Sequence, residues 1–125
     1  MNYSQPVETV VTPGEDGTIE DVRHGLRFNI LPLQFQETQD TSTVTTDEVR
    51  LIRGGSGYYY ITANGYSNVY VMAPEKHKLK LVRKITISEQ GLQNPAFNQR
   101  DPYVMLLNRG TNTTYRITEN GIQQE

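Results

Sequence analysis

Few residues of this 125-residue chain have the type and spacing that catalysis requires. The chain contains no cysteine, which excludes a disulfide, a thiol nucleophile and a cysteine-ligated metal site. Its two histidines, His24 and His77, lack a second ligand at a recognised spacing, apart from Asp21 three residues before His24. Such an isolated pair is typical of a surface polar contact. We therefore expect no metal site, no cofactor and no enzymatic activity.

The glycine-rich stretch GGSG at residues 54–57 matches only part of the motif of a phosphate-binding loop and only part of the motif of a nucleophile elbow. A phosphate-binding loop needs a following Gly-Lys-Ser/Thr and a helix that begins there, and the sequence predicts neither. A nucleophile elbow needs a glycine two residues after Ser56, where the chain has Tyr58. We interpret the stretch as a flexible hinge.

Five of the eight tyrosines lie in residues 57–72, GYYYITANGYSNVYVM. Two runs of β-forming residues flank the pair Asn64-Gly65, which predicts a hairpin with Tyr59 facing Tyr70. Neither face of this hairpin is clearly polar, so either both faces are buried or one face presents tyrosines to a partner. Tyrosine is enriched in binding surfaces, which favours a predicted interaction surface. Its tyrosines are Tyr58, Tyr60, Tyr66 and Tyr70.

Residues 75–88 show the clearest alternation in the chain. Apolar residues occupy odd positions, namely Leu79, Leu81, Ile85 and Ile87. Lysines occupy even positions and join the predicted interaction surface, namely Lys76, Lys78, Lys80 and Lys84. A period of two predicts a strand with one face in the core and a row of lysines outside. Val82 and Arg83 break the alternation, which predicts either a β-bulge there or a buried ion pair of Arg83.

The remaining sequence favours a single all-β domain. Fourteen threonines and ten valines stand against three alanines, a bias typical of strands. We predict an antiparallel β-sandwich or jelly-roll-like domain of about seven or eight strands over residues 18–125. An extended amino-terminal arm over residues 1–17 precedes it. We also predict one short helical turn near residues 18–25 and an exposed polar loop at residues 36–47.

Charge is unevenly divided along the chain. Residues 1–48 carry nine acids and two bases, for a net −7, and residues 49–125 carry ten bases and five acids, for +5, which sum to −2. This asymmetry indicates either attraction within one fold or docking of the acidic part of one copy on the basic part of another. The first twenty residues have no basic region followed by an apolar core. We therefore expect cytoplasmic synthesis without a signal peptide, and no membrane span.

A small, cysteine-free, Thr/Tyr/Asn-rich chain with an arm and a long loop resembles in style the β-rich accessory proteins of virus particles, such as capsid decoration or tail and neck adaptor proteins. This resemblance implies a non-enzymatic subunit whose partners are other protein subunits, in a homo-oligomer or a multi-protein assembly. Two alternatives stay open. One is a carbohydrate- or other ligand-binding module with exposed tyrosines, and the other is a single-stranded nucleic-acid-binding β-barrel that uses the lysines. A pI near 5.7 disfavours nucleic acid as a partner.

Overall fold

The computed structural model describes residues 8–21, 25–54, 57–75, 78–100 and 103–123, without the side chains of Lys78, Gln99, Arg100 and Gln123. These ranges contain eleven strands and one helix. The strands are β1 (Thr9–Val11), β2 (Thr18–Asp21), β3 (Leu26–Asn29), β4 (Val49–Arg53), β5 (Tyr59–Ala63), β6 (Asn68–Glu75), β7 (Lys78–Thr86), β8 (Pro95–Arg100), β9 (Tyr103–Asn108), β10 (Thr113–Thr118) and β11 (Gly121–Gln123), and the helix is α1 (Leu31–Thr38). The prediction of an all-β, sandwich-like fold is confirmed. The strands outnumber the predicted seven or eight because β2, β8 and β11 show little alternation in sequence.

The strands form three antiparallel sheets. A five-stranded sheet has the order β1-β4-β5-β6-β7, a four-stranded sheet has the order β11-β10-β9-β8, and β2 pairs only with β3. The five-stranded sheet lies in the middle, because a separate buried cluster covers each of its faces. The cluster that joins it to α1 and the β2–β3 hairpin includes Ile19, Ile30, Leu33, Leu51, Ile61 and Tyr70. The cluster that joins it to the four-stranded sheet includes Ile52, Tyr60, Val71, Phe97, Leu106 and Ile117.

The predicted hairpin of residues 57–72 is confirmed, with a different register. Tyr59 pairs with Met72, and not with Tyr70, because the connection is longer than two residues. The amide of Tyr66 donates to the carbonyl of Ala63 (3.1 Å), and Gly65 has a φ of 87°, which only a residue without a β-carbon adopts readily. The pairing is shifted by two residues from the predicted register. Because side chains alternate between the two faces with a period of two, every side chain stays on its predicted face.

Residues 18–38 fold differently from the prediction. The helical turn expected near residues 18–25 is wrong: Thr18–Asp21 is a strand whose Ile19 is fully buried, although residues 22–24 lie outside the described ranges. The helix instead begins at Leu31, with Pro32 in its first turn, where the missing N–H breaks no hydrogen bond. It also takes in residues 36–38, the start of the predicted polar loop.

The rest of the polar loop is held in place by one buried side chain, Gln34, which is 1% exposed. Its Nε2 donates to the carbonyls of Asp40 (2.9 Å) and Thr43 (2.8 Å). Its Oε1 accepts from the amides of Thr45 (3.0 Å) and Thr46 (3.2 Å) and from the Thr46 hydroxyl. The loop is exposed at its surface, as expected, but its backbone is fixed from within by this amide.

The described part of the predicted arm belongs to the middle sheet, where β1 pairs with β4. One oxygen of the Glu8 carboxylate lies 2.6 Å from Arg50 Nη1 on β4, and the other accepts from the amide of Phe97 on β8 (2.8 Å). Both side chains of this ion pair are largely buried. Glu8 therefore links the middle sheet to the edge of the four-stranded sheet. Residues 1–7 lie outside the described ranges.

Candidate functional site

The structure places three of the four predicted interaction tyrosines in the core. Tyr60, Tyr66 and Tyr70 are 2%, 4% and 0% exposed, while Tyr58 is partly buried. The expectation that these rings are exposed to a partner is therefore wrong for three of them. The physical reason is that packed layers cover both faces of the hairpin, which is the other interpretation that its sequence allowed.

Two of the buried tyrosines, Tyr66 and Tyr70, belong to a polar network that sequence reasoning missed. The Tyr70 hydroxyl donates to the carboxylate of Glu37 on α1 (2.6 Å), which also accepts from Asn68 Nδ2 and the Ser67 amide, both at 2.6 Å. The Tyr66 ring meets the Tyr70 ring edge to face, with centroids 6.0 Å apart. Burial raises the pKa of both phenols above their ordinary 10.0, and the nearby Glu37 carboxylate raises it further. The network holds two neutral phenols in place and joins α1 to the β5–β6 connection.

The predicted lysine row is only partly described. Lys80 and Lys84 are exposed on β7, whereas Lys76 and the side chain of Lys78 lie outside the described part of the chain. The bulge prediction is confirmed: Val71 pairs with Arg83 and Met72 with Leu81, which leaves Val82 as the extra residue. Arg83 is exposed and its Nε donates to the carbonyl of Glu119 (2.9 Å), so the alternative of a buried ion pair is wrong.

Residues 80–84, which we term the β7 segment, are all exposed. Leu81 is 42% exposed and Val82 is 49% exposed, and the other three side chains are cations. In the described part of the chain, β7 is the last strand of its sheet, with β6 on one side only. A strand edge of this kind presents backbone donors and acceptors to another chain. The β7 segment therefore combines an open edge, two apolar side chains and a charge of +3.

An apolar groove of about 430 Å³ opens beside the β7 segment. Its walls come from β3 and α1 and its floor from β6 and β7, and it is lined by Arg27, Phe28, Asn29, Pro32, Leu33, Gln36, Met72, Leu79 and Leu81. Leu81 belongs to both the groove and the β7 segment. The sequence did not predict this groove, because part of its lining belongs to α1, a helix that the sequence pattern did not predict.

Most of the exposed acids that the structure describes lie in the first part of the chain, and Glu75 and Glu89 are exposed in the second part. Within residues 8–48 the described exposed acids are Glu15, Asp16, Glu20, Asp40, Asp47 and Glu48. Glu20 and Glu48 each lie 3.6 Å from an arginine of the same chain. Hydrogen bonds from Thr18 hold the pKa of Asp16 below its usual value, and those from Ser42 do the same for Asp40. The uneven charge of the sequence is therefore kept among the exposed acids of the described residues, six of which precede residue 49 and two of which follow it.

Other kinds of site find little support in the described residues. No three His, Asp or Glu side chains among them converge closely enough to hold a metal ion, and both histidines lie outside these ranges. No helix that the structure describes has the length and apolar character needed to cross a bilayer. Compared with family models, curated proteins and solved structures, the chain matches none of them.

Proposed function

We propose that this protein is a non-enzymatic subunit of a larger protein assembly, in which copies of the chain associate through the β7 segment. The observation that carries this proposal is the run of five exposed residues on a terminal strand, with Leu81 and Val82 adjacent in it. Single exposed apolar residues are ordinary. Two adjacent ones on an open strand edge, beside an apolar groove, are typical of a surface that another protein covers.

A single-stranded nucleic-acid binder receives less support from the same surface. Such proteins place aromatic rings beside their cations so that bases stack on them. Here four of the five rings that the hairpin supplies, those of Tyr59, Tyr60, Tyr66 and Tyr70, are buried, and the ring of Tyr58 is partly buried. The cations of the β7 segment are accompanied by Leu81 and Val82, which favour contact with protein. Carbohydrate binding loses support for the same reason, since it also relies on exposed aromatic platforms.

An apolar-ligand-binding module is the second candidate function, and the groove is the observation that favours it. Its volume falls within the range of roughly 300–1,000 Å³ that small-molecule sites occupy, and its lining is mainly apolar. If this function is correct, a lipophilic dye binds saturably to the wild type and not to Leu81→Asp. The control is Ile122→Asp, which changes an exposed apolar residue on β11, away from the groove.

A virus particle is the specific assembly that we propose, and this part of the proposal rests only on the resemblance of the sequence to accessory proteins of virus particles.

The assembly role itself is tested by the mass of the protein in solution. We expect the weight-average mass to rise above the 14.2 kDa of one chain as concentration increases. A strict monomer up to about 1 mM, where binding is worth only about 4 kcal/mol, would contradict self-assembly.

A further inference from the structure

We infer that the β7 segment of one copy docks on the acidic turn of a second copy, residues 13–17, in a head-to-tail contact. This inference rests on the proposed function and identifies the two surfaces that would meet. Its basis is the charge and exposure of both surfaces and the fixed conformation of the turn.

The charge of the β7 segment argues against the simplest alternative, a symmetric pairing of two β7 strands. Lys80, Arg83 and Lys84 are exposed within five residues, and the segment contains no acid. In an antiparallel pairing about a twofold axis at Val82, Lys80 of each copy would face Lys84 of the other, and like charges on facing strands are destabilising. The occupant that fits this surface therefore carries negative charge.

The acidic turn supplies that charge in a fixed conformation. The amide of Gly17 donates to the carbonyl of Gly14 (2.9 Å), and the amide of Gly14 donates to the carbonyl of Thr18 (3.0 Å). The Asp16 carboxylate accepts from the amide of Thr18 (3.0 Å). Glu15 and Asp16 are both exposed, and a turn ordered before binding loses little conformational entropy in the contact.

Two of the other exposed acids, Glu20 and Glu48, are weaker candidates. Glu20 and Glu48 each face an arginine of their own chain at 3.6 Å, which already compensates part of their charge. The turn also follows directly after β1, where Val10 is 48% exposed. Val10 offers an apolar side chain against which Leu81 and Val82 of the neighbouring copy can be buried.

If the lysines prevent association instead of binding the acidic turn, neutralising them has the opposite effect on self-association. The direction of the change therefore tests the inference. Lysines on edge strands commonly prevent association, because an incoming strand would have to bury their charge. If Lys80 and Lys84 have that role, neutralising them strengthens self-association. If they bind the acidic turn, neutralising them weakens it.

The first experiment compares Lys80→Gln/Lys84→Gln with wild type by sedimentation velocity at several concentrations. We expect the association constant to fall on the order of tenfold, and the wild-type constant to fall with added salt. The control, Arg53→Gln/Arg109→Gln, removes the same charge from two other exposed positions and should change the constant by less than about twofold. Circular dichroism checks that each variant is folded.

The other outcomes of this experiment contradict either the inference alone or both the inference and the proposed function. Stronger association of Lys80→Gln/Lys84→Gln would assign the lysines to preventing contact and would overturn the inference. An unchanged constant would also overturn it, while the proposed assembly would stand because the wild type still associates. A monomeric wild type would overturn both.

The second experiment reverses charge on each surface and then on both. Glu15→Lys and Lys84→Glu should each weaken association, and the chain with both changes, which has the wild-type net charge, should recover it. Failure of this recovery would contradict the pairing of these two surfaces. Competition of an oligothymidylate with self-association, lost in Lys80→Gln/Lys84→Gln, would reassign the β7 segment to nucleic acid.

Discussion

The β5–β6 hairpin and strand β7 lie side by side in one sheet, and their side chains meet very different surroundings. All five residues of β5 are buried, although the hairpin contains the tyrosines that its sequence offered for binding. All five residues of the β7 segment are exposed, although the alternation of residues 75–88 predicted that Leu81 faces the core. The difference comes from position in the sheet: β5 has a strand on each side and a layer on each face, whereas β7 pairs with only one strand among the described residues. Composition indicates which residues can bind, and topology decides which of them are free to do so.

The largest expected effect comes from shortening a side chain at the centre of the hairpin. Ile61 is fully buried, so Ile61→Ala should lower the free energy of unfolding by about 3 kcal/mol, through lost burial and the cavity left behind. Leu81→Ala on the β7 segment is the matched control and should cost less than about 1 kcal/mol. Urea unfolding of the two variants measures both values. A similar loss in each would contradict the contrast between the two strands.

Most of the contrast between the buried strand β5 and the exposed β7 segment could not be predicted from the sequence, for a physical reason. Short-range signals predicted the hairpin around Asn64-Gly65 and the bulge at Val82. The order of the strands and the layer over each face depend on contacts between residues far apart in sequence, such as Glu37 with Tyr70. Helix α1 was missed because Ile30, the residue before it, makes no side-chain cap and therefore gives no start signal in the sequence.

The next largest effect should come from removing the carboxylate that joins α1 to the hairpin. Glu37→Ala leaves the Tyr70 hydroxyl and the Asn68 side chain without that acceptor in a buried site. We expect a loss of about 2–3 kcal/mol in the free energy of unfolding. Lys84→Ala is the control, because Lys84 pairs with Tyr70 in the sheet but is exposed, and it should change stability by less than about 0.5 kcal/mol. Equal effects would mean that the network adds nothing to stability.

Alkaline pH should destabilise the protein through the buried phenols of the hairpin, Tyr66 and Tyr70, and not through the β7 segment. The pKa values of Tyr66 and Tyr70 are raised above 10.0, so the unfolded chain loses these protons at lower pH than the folded chain does. Their contribution to stability is therefore complete below about pH 10 and decreases as pH rises above it, by up to about 1.4 kcal/mol per pH unit for each group. Tyr70→Phe should make this decrease shallower, and Leu81→Ala should leave it unchanged. A wild-type slope in Tyr70→Phe would contradict the assignment.

The smallest expected effect on stability belongs to the lysines of the β7 segment. Lys80→Gln/Lys84→Gln should change the free energy of unfolding by less than about 0.5 kcal/mol, because both side chains are exposed. The same variant should still lose self-association. Urea unfolding at low protein concentration separates the two properties, and a large loss of stability would show that the lysines act in the fold.

Hydrogen exchange measured by mass spectrometry, on dilute and on concentrated protein, tests the central claim most directly. Burial of the β7 segment in an assembly predicts slower amide exchange in residues 80–84 at high concentration, with β5 protected equally at both concentrations. Unchanged exchange in residues 80–84, or new protection confined to another surface, would contradict the claim that this edge is where the protein assembles.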